Sequence, residues 1–243
     1  MAGREATLIL LRHGRTAWSD RQVFTGQVDV PLSDDGRAQA RAAARRLAAF
    51  RPDLVLSSDL RRATDTARAV GAASGARVAE DPRLREERLG GWEGLTRHEV
   101  AQLYPREYAR WRVHHLAASA NREGMPAVAT RALDAIGEAL DALPGRAPTL
   151  VAVTHLNTAL ALTGRLLGLA GRGLVAVGSL RPGAFSVLVQ QESGGWTLCA
   201  HDVGVNDPAD LPEAAAPATG DEPDPSTPAP GDSRGRVDLR GYC

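Results

Sequence analysis

Four places in the sequence carry side chains suited to chemistry: Arg12-His13, the stretch Ser57 to Thr66 with Arg61 and Arg62, the pair Glu86-Glu87, and His155. Two arginines, two histidines and a carboxylate are the groups that phosphoryl transfer needs when no metal takes part. The transferred phosphoryl group spreads charge over its equatorial oxygens, so catalysis rests on positioning and fixed positive charge. Arginine forks hold two oxygens at once. A neutral imidazole attacks phosphorus in line and splits hydrolysis into two easier steps through a phosphohistidine. A carboxylic acid beside the anion gives the leaving alkoxide its proton and later takes one from the attacking water.

These groups must be delivered by elements that end where they stand. Thr7 to Leu11 is an unbroken run of apolar or β-branched residues that stops at Arg12, His13 and Gly14. It reads as a buried strand covered on both faces, as in a parallel α/β sheet. Ligands in such sheets sit beyond the carboxyl ends of strands, and Gly14 lets the backbone turn close to one. Thr16 to Ser33 reads as irregular. A helix is expected from Ser33-Asp34-Asp35 to about Phe50, stopped by Pro52. Asp53 to Ser57 repeats the short apolar strand, Leu60 to Ala73 is helical, and Arg77 to Ala79 is a third strand. Residues 82–95 read as loop, 96–118 as helical with a break near Pro105, and 127–143 as helix. Thr149 to Thr154 is a buried strand that ends in His155, followed by a helix from Thr158 to Leu167. Ala184 to Gln190 and Trp196 to Ala200 flank Ser193-Gly194-Gly195 as a closing hairpin. Alternating strand and helix predict βαβ units and an α/β fold.

Composition narrows the function classes. Among 243 residues the formal net charge is zero, which gives no basic field for nucleic acid. All 29 basic residues are arginine, which suits bidentate phosphate contacts without proving them. Cys199 and Cys243 have neither CxxC nor metal-ligand spacing, so neither a disulfide framework nor structural zinc is expected. No apolar segment is long enough for a signal peptide or membrane span, and the expectation is a soluble cytoplasmic protein without a membrane partner. From Pro212 onward the sequence is proline, alanine, threonine and acid, so 212–243 is expected to be a disordered tail and 1–211 the catalytic domain. A homodimer is compatible with the sequence and not fixed by it.

Several ordered motifs over residues 6–206 resemble the histidine phosphatase superfamily, the phosphoglycerate-mutase-like group. Leu-Arg-His-Gly-Arg-Thr-Ala-Trp (11–18) is similar to the nucleophile loop, and Thr25-Gly26-Gln27-Val28-Asp29-Val30-Pro31-Leu32-Ser33 to the segment after it. Ser-Ser-Asp-Leu-Arg-Arg-Ala-Thr-Asp-Thr-Ala (57–67) is similar to the second phosphate-pocket motif, and Leu-Arg-Glu-Glu-Arg-Leu-Gly-Gly-Trp-Glu-Gly-Leu (84–95) to the proton-donor loop. The resemblance implies a three-layer α/β/α sandwich with a mostly parallel central sheet. It implies His13 as nucleophile, Glu86 as general acid and base, and Arg12, Arg62 and His155 as the phosphate pocket. Arg15, Ser19, Thr25, Gly26 and Asn157 are further candidate substrate contacts, with no metal and no cofactor. Arg62 is preferred to Arg61 by its place before the Ala-Xaa-Xaa-Thr-Ala pattern, and Glu86 to Glu87 by the same positional argument. The partner implied is a small phosphorylated metabolite, hydrolysed as a sugar phosphate or phosphoglycerate type of phosphomonoester. The 57–63 and 89–95 stretches are similar to actinobacterial phosphatases of the glucosyl-3-phosphoglycerate type, a family-level hint about substrate.

The departures define the alternatives. Glycine usually follows the second histidine, whereas here His155 is followed by Leu156 and Asn157. Arg15 replaces the common Glu or Gln, Ser19 the frequent asparagine, and the usual Gly-Gly-Glu-Ser segment reads Asn121-Arg122-Glu123-Gly124. A cofactor-dependent phosphoglycerate mutase and a non-catalytic phosphate-ligand-binding protein therefore stand as alternatives. Residues 96–125 are expected to be a variable cap. Their arginines and histidines, with Glu99, Glu107 and Glu123 in opposition, read either as a basic lid for a second anionic group or as a solvated pair of mixed charge. Trp92, Tyr104 and Trp111 read as packing residues.

Overall fold

Two strands of nearly continuous apolar sequence, β1 (Thr7–Arg12) and β4 (Thr149–Thr154), pair in parallel at the centre of a six-stranded sheet. The computed structural model describes residues 5–114, 121–145, 147–169 and 172–204; the tail expected at 212–243 lies outside them. Around the central pair the chain places α1 (Ala17–Asp20), α2 (Asp34–Ala48), β2 (Leu54–Ser57), α3 (Arg61–Ser74) and β3 (Arg77–Glu80). It continues with α4 (Arg97–Leu103), α5 (Pro105–His114), α6 (Met125–Ala142), α7 (Leu156–Leu166), α8 (Arg172–Val177), β5 (Phe185–Gln190) and β6 (Trp196–Val203). The strand order is β3-β2-β4-β1-β5-β6, with the first four parallel and the last two added antiparallel.

The sequence dictates the layers through its two periods. Ile9, Leu11, Val151 and Val153 face one core with Ala43 and Leu47 of α2 and Ala63, Ala67 and Val70 of α3. Their neighbours Leu8, Leu10, Leu150 and Ala152 face the opposite core with Ala132, Ala135, Ile136 and Leu140 of α6 and Leu162 of α7. Helices therefore cover both faces, and the α/β/α sandwich with a mostly parallel sheet is as expected. A third cluster, Leu89, Trp92 and Val100 with Phe24, Tyr104, Tyr108 and Trp111, fixes α4 and α5 beside the strand ends.

Some boundaries differ from the sequence reading. The stretch Thr16 to Ser33 includes the short helix α1, closed by a reciprocal Thr16–Ser19 capping box. α7 begins at Leu156 instead of Thr158, because Glu86 from elsewhere in the chain accepts its first amide protons. α8 was not expected, and β6 runs on to Val203. Cys199 is disulfide-bonded, against expectation; the CxxC and metal-spacing rules address only closely spaced cysteines.

The approach of α2 to the loop after β1 requires glycine on both sides. α2 opens on Ser33, whose hydroxyl accepts from Gly36 N at 3.1 Å. A Cβ on Gly36 would lie 2.0 Å from the Arg15 carbonyl oxygen, and one on Gly14 2.2 Å from the Gly36 carbonyl oxygen. Gly36→Ala is accordingly expected to lower stability by about 1–3 kcal/mol through backbone displacement. Gly137→Ala, in the interior of α6 with nothing within 4 Å, is expected to raise it by about 0.5–1 kcal/mol. Denaturant melts of the two variants check the pair; a Gly36→Ala protein as stable as wild type would contradict the contact.

Candidate active site

The register of β1 and β4 creates the site. Arg12 stands opposite Thr154, and His13 N donates to the Thr154 carbonyl at 3.1 Å, so His13 and His155 leave the sheet side by side. Their ring centres are 5.0 Å apart. Arg62, in the first turn of α3 and 1% exposed, reaches between them. Its Nε–H is shared by His13 Nε2 and His155 Nδ1, each at 3.2 Å. Its NH1 and NH2 donate to the carbonyls of Val28 and Gly26, both at 2.8 Å.

These partners settle the imidazole tautomers. The Gly14 carbonyl, 2.7 Å from His13 Nδ1, can only accept, so Nδ1 carries the proton. Arg62 Nε can only donate, so His13 Nε2 presents a lone pair. By the same logic His155 Nδ1 is unprotonated, and its Nε2–H donates to Ser58 Oγ at 2.8 Å. Burial, then the positive charges of Arg62 and Arg12, hold His13 neutral well below the ordinary histidine range. His155 is held neutral by burial and then by Arg62. Burial lowers Arg62 to about 10, which leaves it a cation at neutral pH.

Glu86 is seated by the start of α7. Its carboxylate accepts from Asn157 N and Thr158 N at 3.3 Å each, from Thr158 Oγ1 at 3.4 Å and from Glu87 N at 2.9 Å. Anions are favoured at such helix starts. The donor loop itself has little regular structure and is held by side chains. Arg131 of α6 donates to the carbonyls of Arg85 at 2.8 Å and Glu86 at 3.1 Å, and Gln27 Nε2 to Glu86 O at 3.0 Å. Glu93 joins the loop to the segment after β1 by accepting from Leu89 N at 2.9 Å and Gln27 N at 3.2 Å.

A cavity of about 360 Å³ opens over these groups. Arg12, His13, Arg15, Ser19, Thr25, Gly26, Arg62, Glu86 and Asn157 all line it. His155 is fully buried beside His13, with which it shares the Arg62 Nε–H. Arg12 donates from NH1 to the Leu180 carbonyl at 2.8 Å, and its buried Nε has no hydrogen-bond partner among the described residues. Arg15 pairs with Asp20 at 3.4 Å, and the Ser19 hydroxyl is engaged by Thr16 in the capping box. Arg61 is exposed, whereas Arg62 is buried. Among the described residues, no three His, Cys, Asp or Glu side chains are grouped as a metal ion would need.

Two residues carry more than the sequence reading assigned. Glu87 is not a solvated carboxylate but is buried in a bidentate pair with Arg122, Nε at 3.1 Å and NH2 at 2.9 Å. Arg122 and Arg97 face the cavity from the cap side, as does Trp111, which also packs on Trp92 and Phe24. The signal for the buried pair lay in Arg122 interrupting the expected Gly-Gly-Glu-Ser segment, but nothing local tied it to Glu87.

Both site histidines are neutral when folded and free to protonate when unfolded, which fixes the sign of a pH effect. Below pH about 6.5 the unfolded chain binds protons that the folded chain refuses, so stability falls as pH falls. The two together give a limiting slope of about 2.7 kcal/mol per pH unit. Denaturant melts between pH 7.5 and 5 are expected to show this loss, with a shallower slope in His13→Gln; equal slopes would contradict the neutral assignment.

Comparison with known proteins follows the same lines. Residues 8–202 match the histidine phosphatase superfamily (branch 1). The glucosyl-3-phosphoglycerate phosphatase of Mycolicibacterium vanbaalenii is 42% identical over 171 residues, covering 68% of this chain and 76% of that protein. Its namesake from Mycobacterium tuberculosis is 35% identical over 199 residues, covering 79% and 87% respectively. A solved mycobacterial glucosyl-3-phosphoglycerate phosphatase in complex with VO3 superposes with a TM-score of 0.76 at 35% identity, covering 83% of this chain and 100% of that one. Matched by the family model over most of its length, and alike in sequence and in fold to phosphatases named above, the chain belongs to the histidine phosphatase superfamily.

Proposed function

We propose that the protein is a phosphatase that hydrolyses a small phosphomonoester, of the sugar phosphate or phosphoglycerate type, through a phosphohistidine at His13. The observation that carries this reading is the His13 Nε2 lone pair, oriented by Gly14 O and Arg62 Nε inside a cavity lined by Arg12, Arg62 and Glu86. Arg12 and Arg62 have no carboxylate within ion-pair distance among the described residues and supply the positive charge that phosphate oxygens need. In the first step the His13 Nε2–P bond forms, the ester P–O bond breaks, and Glu86 gives its proton to the leaving oxygen. In the second, water oxygen bonds to phosphorus, the N–P bond breaks, and the water proton returns to Glu86. His155, which shares the Arg62 Nε–H with His13, is read with Arg12 and Arg62 as part of the phosphate pocket. Residues 1–211 are read as the catalytic unit and 96–125 as its cap. A cytoplasmic location is part of the reading: the substrate is an anion that membranes retain, and among the described residues no helix is long and apolar enough to cross one.

The mutase alternative has less support. Glu93 of Gly91-Trp92-Glu93-Gly94 serves to join two loops, and the relatives with broad coverage are named phosphatases. Phosphate release from sugar phosphates and phosphoglycerates is expected for the wild type, unchanged by chelator. It should fall by at least about 10³-fold in His13→Ala and about 10²-fold in Glu86→Gln. A His13→Ala enzyme with full activity would refute the mechanism, and interconversion of 3- and 2-phosphoglycerate outpacing hydrolysis would favour the mutase.

A further inference from the structure

All three side-chain nitrogens of Arg62 are held, but those of Arg12 are not. Among the described residues the Arg12 guanidinium makes one hydrogen bond, from NH1 to the Leu180 carbonyl at 2.8 Å, and its buried Nε makes none. That carbonyl belongs to residues 178–184, the connection between α8 and β5, which has neither helix nor strand of its own. The connection also holds the backbone of the site. Gly183 N–H is shared by the carbonyls of Arg12 and His13 at 3.1 Å each, Arg12 N donates to Ala184 O at 3.1 Å, and Pro182 lines the cavity. Where these residues sit therefore decides where Arg12 points.

What fixes them is a carboxylate from the edge strand of the sheet. Asp202 of β6 accepts from Arg181 N through Oδ1 and from Arg181 Nε through Oδ2, both at 2.6 Å, and its carbonyl accepts from Arg181 NH2 at 3.0 Å. The residue after Leu180 is thus tied at three points to a strand whose next residue, Val203, is buried opposite Phe185. Asp202 has a φ of +52°, a left-handed backbone that aspartate tolerates better than most side chains. As an ion pair the contact adds little stability, since the Arg181 side chain is 63% exposed and that of Asp202 24%. As a three-point tie it fixes direction. The charge of Asp202 also reaches the site: burial lowers the Arg12 guanidinium from its ordinary value, and Glu86 and then Asp202 oppose that fall.

We infer that Asp202, acting through Arg181 and the Leu180 carbonyl, is a positioning residue for Arg12 in the binding of a phosphate group. This rests on the reading of Arg12 as part of the phosphate pocket and adds to it a residue outside the cavity. Charge and position predict opposite signs. A carboxylate near an anion site repels the anion, so by charge alone its removal would tighten binding; by position its removal weakens binding. The probe is orthovanadate, whose oxygens and charge resemble those of phosphate, and its Kd is measured by calorimetry on the wild type, Asp202→Ala, Arg12→Met and the double variant. Arg12→Met is expected to weaken binding by about 10- to 100-fold, the loss of a charged hydrogen-bond donor. Asp202→Ala is expected to weaken it by about 3- to 10-fold when Arg12 is present and by less than about twofold in the Arg12→Met background. Asp202→Asn keeps an acceptor for the Arg181 N–H and suits the left-handed backbone, so its loss should be only about two- to threefold; the same cycle built on it decides the matter where Asp202→Ala does not fold. An Asp202 variant that binds orthovanadate as tightly as the wild type, or more tightly, overturns the inference. A loss that persists undiminished without Arg12 also overturns it, because a general disturbance of the fold acts whether or not that guanidinium is present. A wild type that binds no orthovanadate, or an Arg12→Met protein that binds it as well as the wild type does, overturns the phosphate-pocket reading instead, and the inference with it.

Discussion

One buried cation organises this protein: Arg62, with its Nε–H shared by two imidazole nitrogens. A guanidinium excluded from water ordinarily finds a carboxylate, because leaving it unpaired is costly. Here neutral acceptors hold it, namely two histidines and the carbonyls of Val28 and Gly26. The choice has a chemical consequence. A carboxylate would cancel the charge that attracts a phosphate, whereas imidazole nitrogens and carbonyls satisfy the donors and leave the charge. It also works in reverse, since burial and then the cation at 3.2 Å oppose protonation of His13 and leave Nε2 as the acceptor nitrogen.

The same economy joins fold to site at Glu86. Its carboxylate accepts the amide protons of Asn157 and Thr158, which would otherwise be orphaned at the first turn of α7. The helix thereby starts two residues before its own sequence signals, and the acid is fixed relative to the strand that carries His155. A loop without regular backbone pairing needs such anchors. Arg131 of α6, Gln27 and Glu93 supply them through backbone carbonyls and amides, so the loop is tied both to a core helix and to the segment after β1.

What could be read from the sequence follows from the range of the forces involved. Strands β1 and β4, the helix after Ser33 and the motifs around His13 and Arg62 depend on neighbours in the chain, and their local patterns predicted them. The family, the α/β sandwich and the phosphatase activity follow from motif order, and the comparisons support them. Residues whose fate is set by distant partners were not legible. Glu87 looks like one acid among several, and only Arg122, 35 positions on, makes it a buried ion. His155 could be placed after a strand, but its position 5.0 Å from the His13 ring depends on the register between β1 and β4. The start of α7 and the disulfide at Cys199 escaped for the same reason.

The cavity is consequently divided by how its arginines are neutralised. At the end beside His13, Arg12 and Arg62 are bonded to neutral groups, so their charge acts on whatever enters, and a phosphate is the ligand that can answer it. At the end beside the cap, Arg122 has the Glu87 carboxylate on one edge and the Trp92 ring 4.6 Å from its guanidinium, so its charge is already answered within the protein. In a low-dielectric pocket those two kinds of arginine cannot exchange roles: moving Glu87 to the first would extinguish phosphate affinity, and removing it from the second would strand a buried cation. The two acids adjacent in sequence, Glu86 and Glu87, thus differ in what holds them: backbone amides at the start of α7 hold the first, and the buried Arg122 guanidinium holds the second.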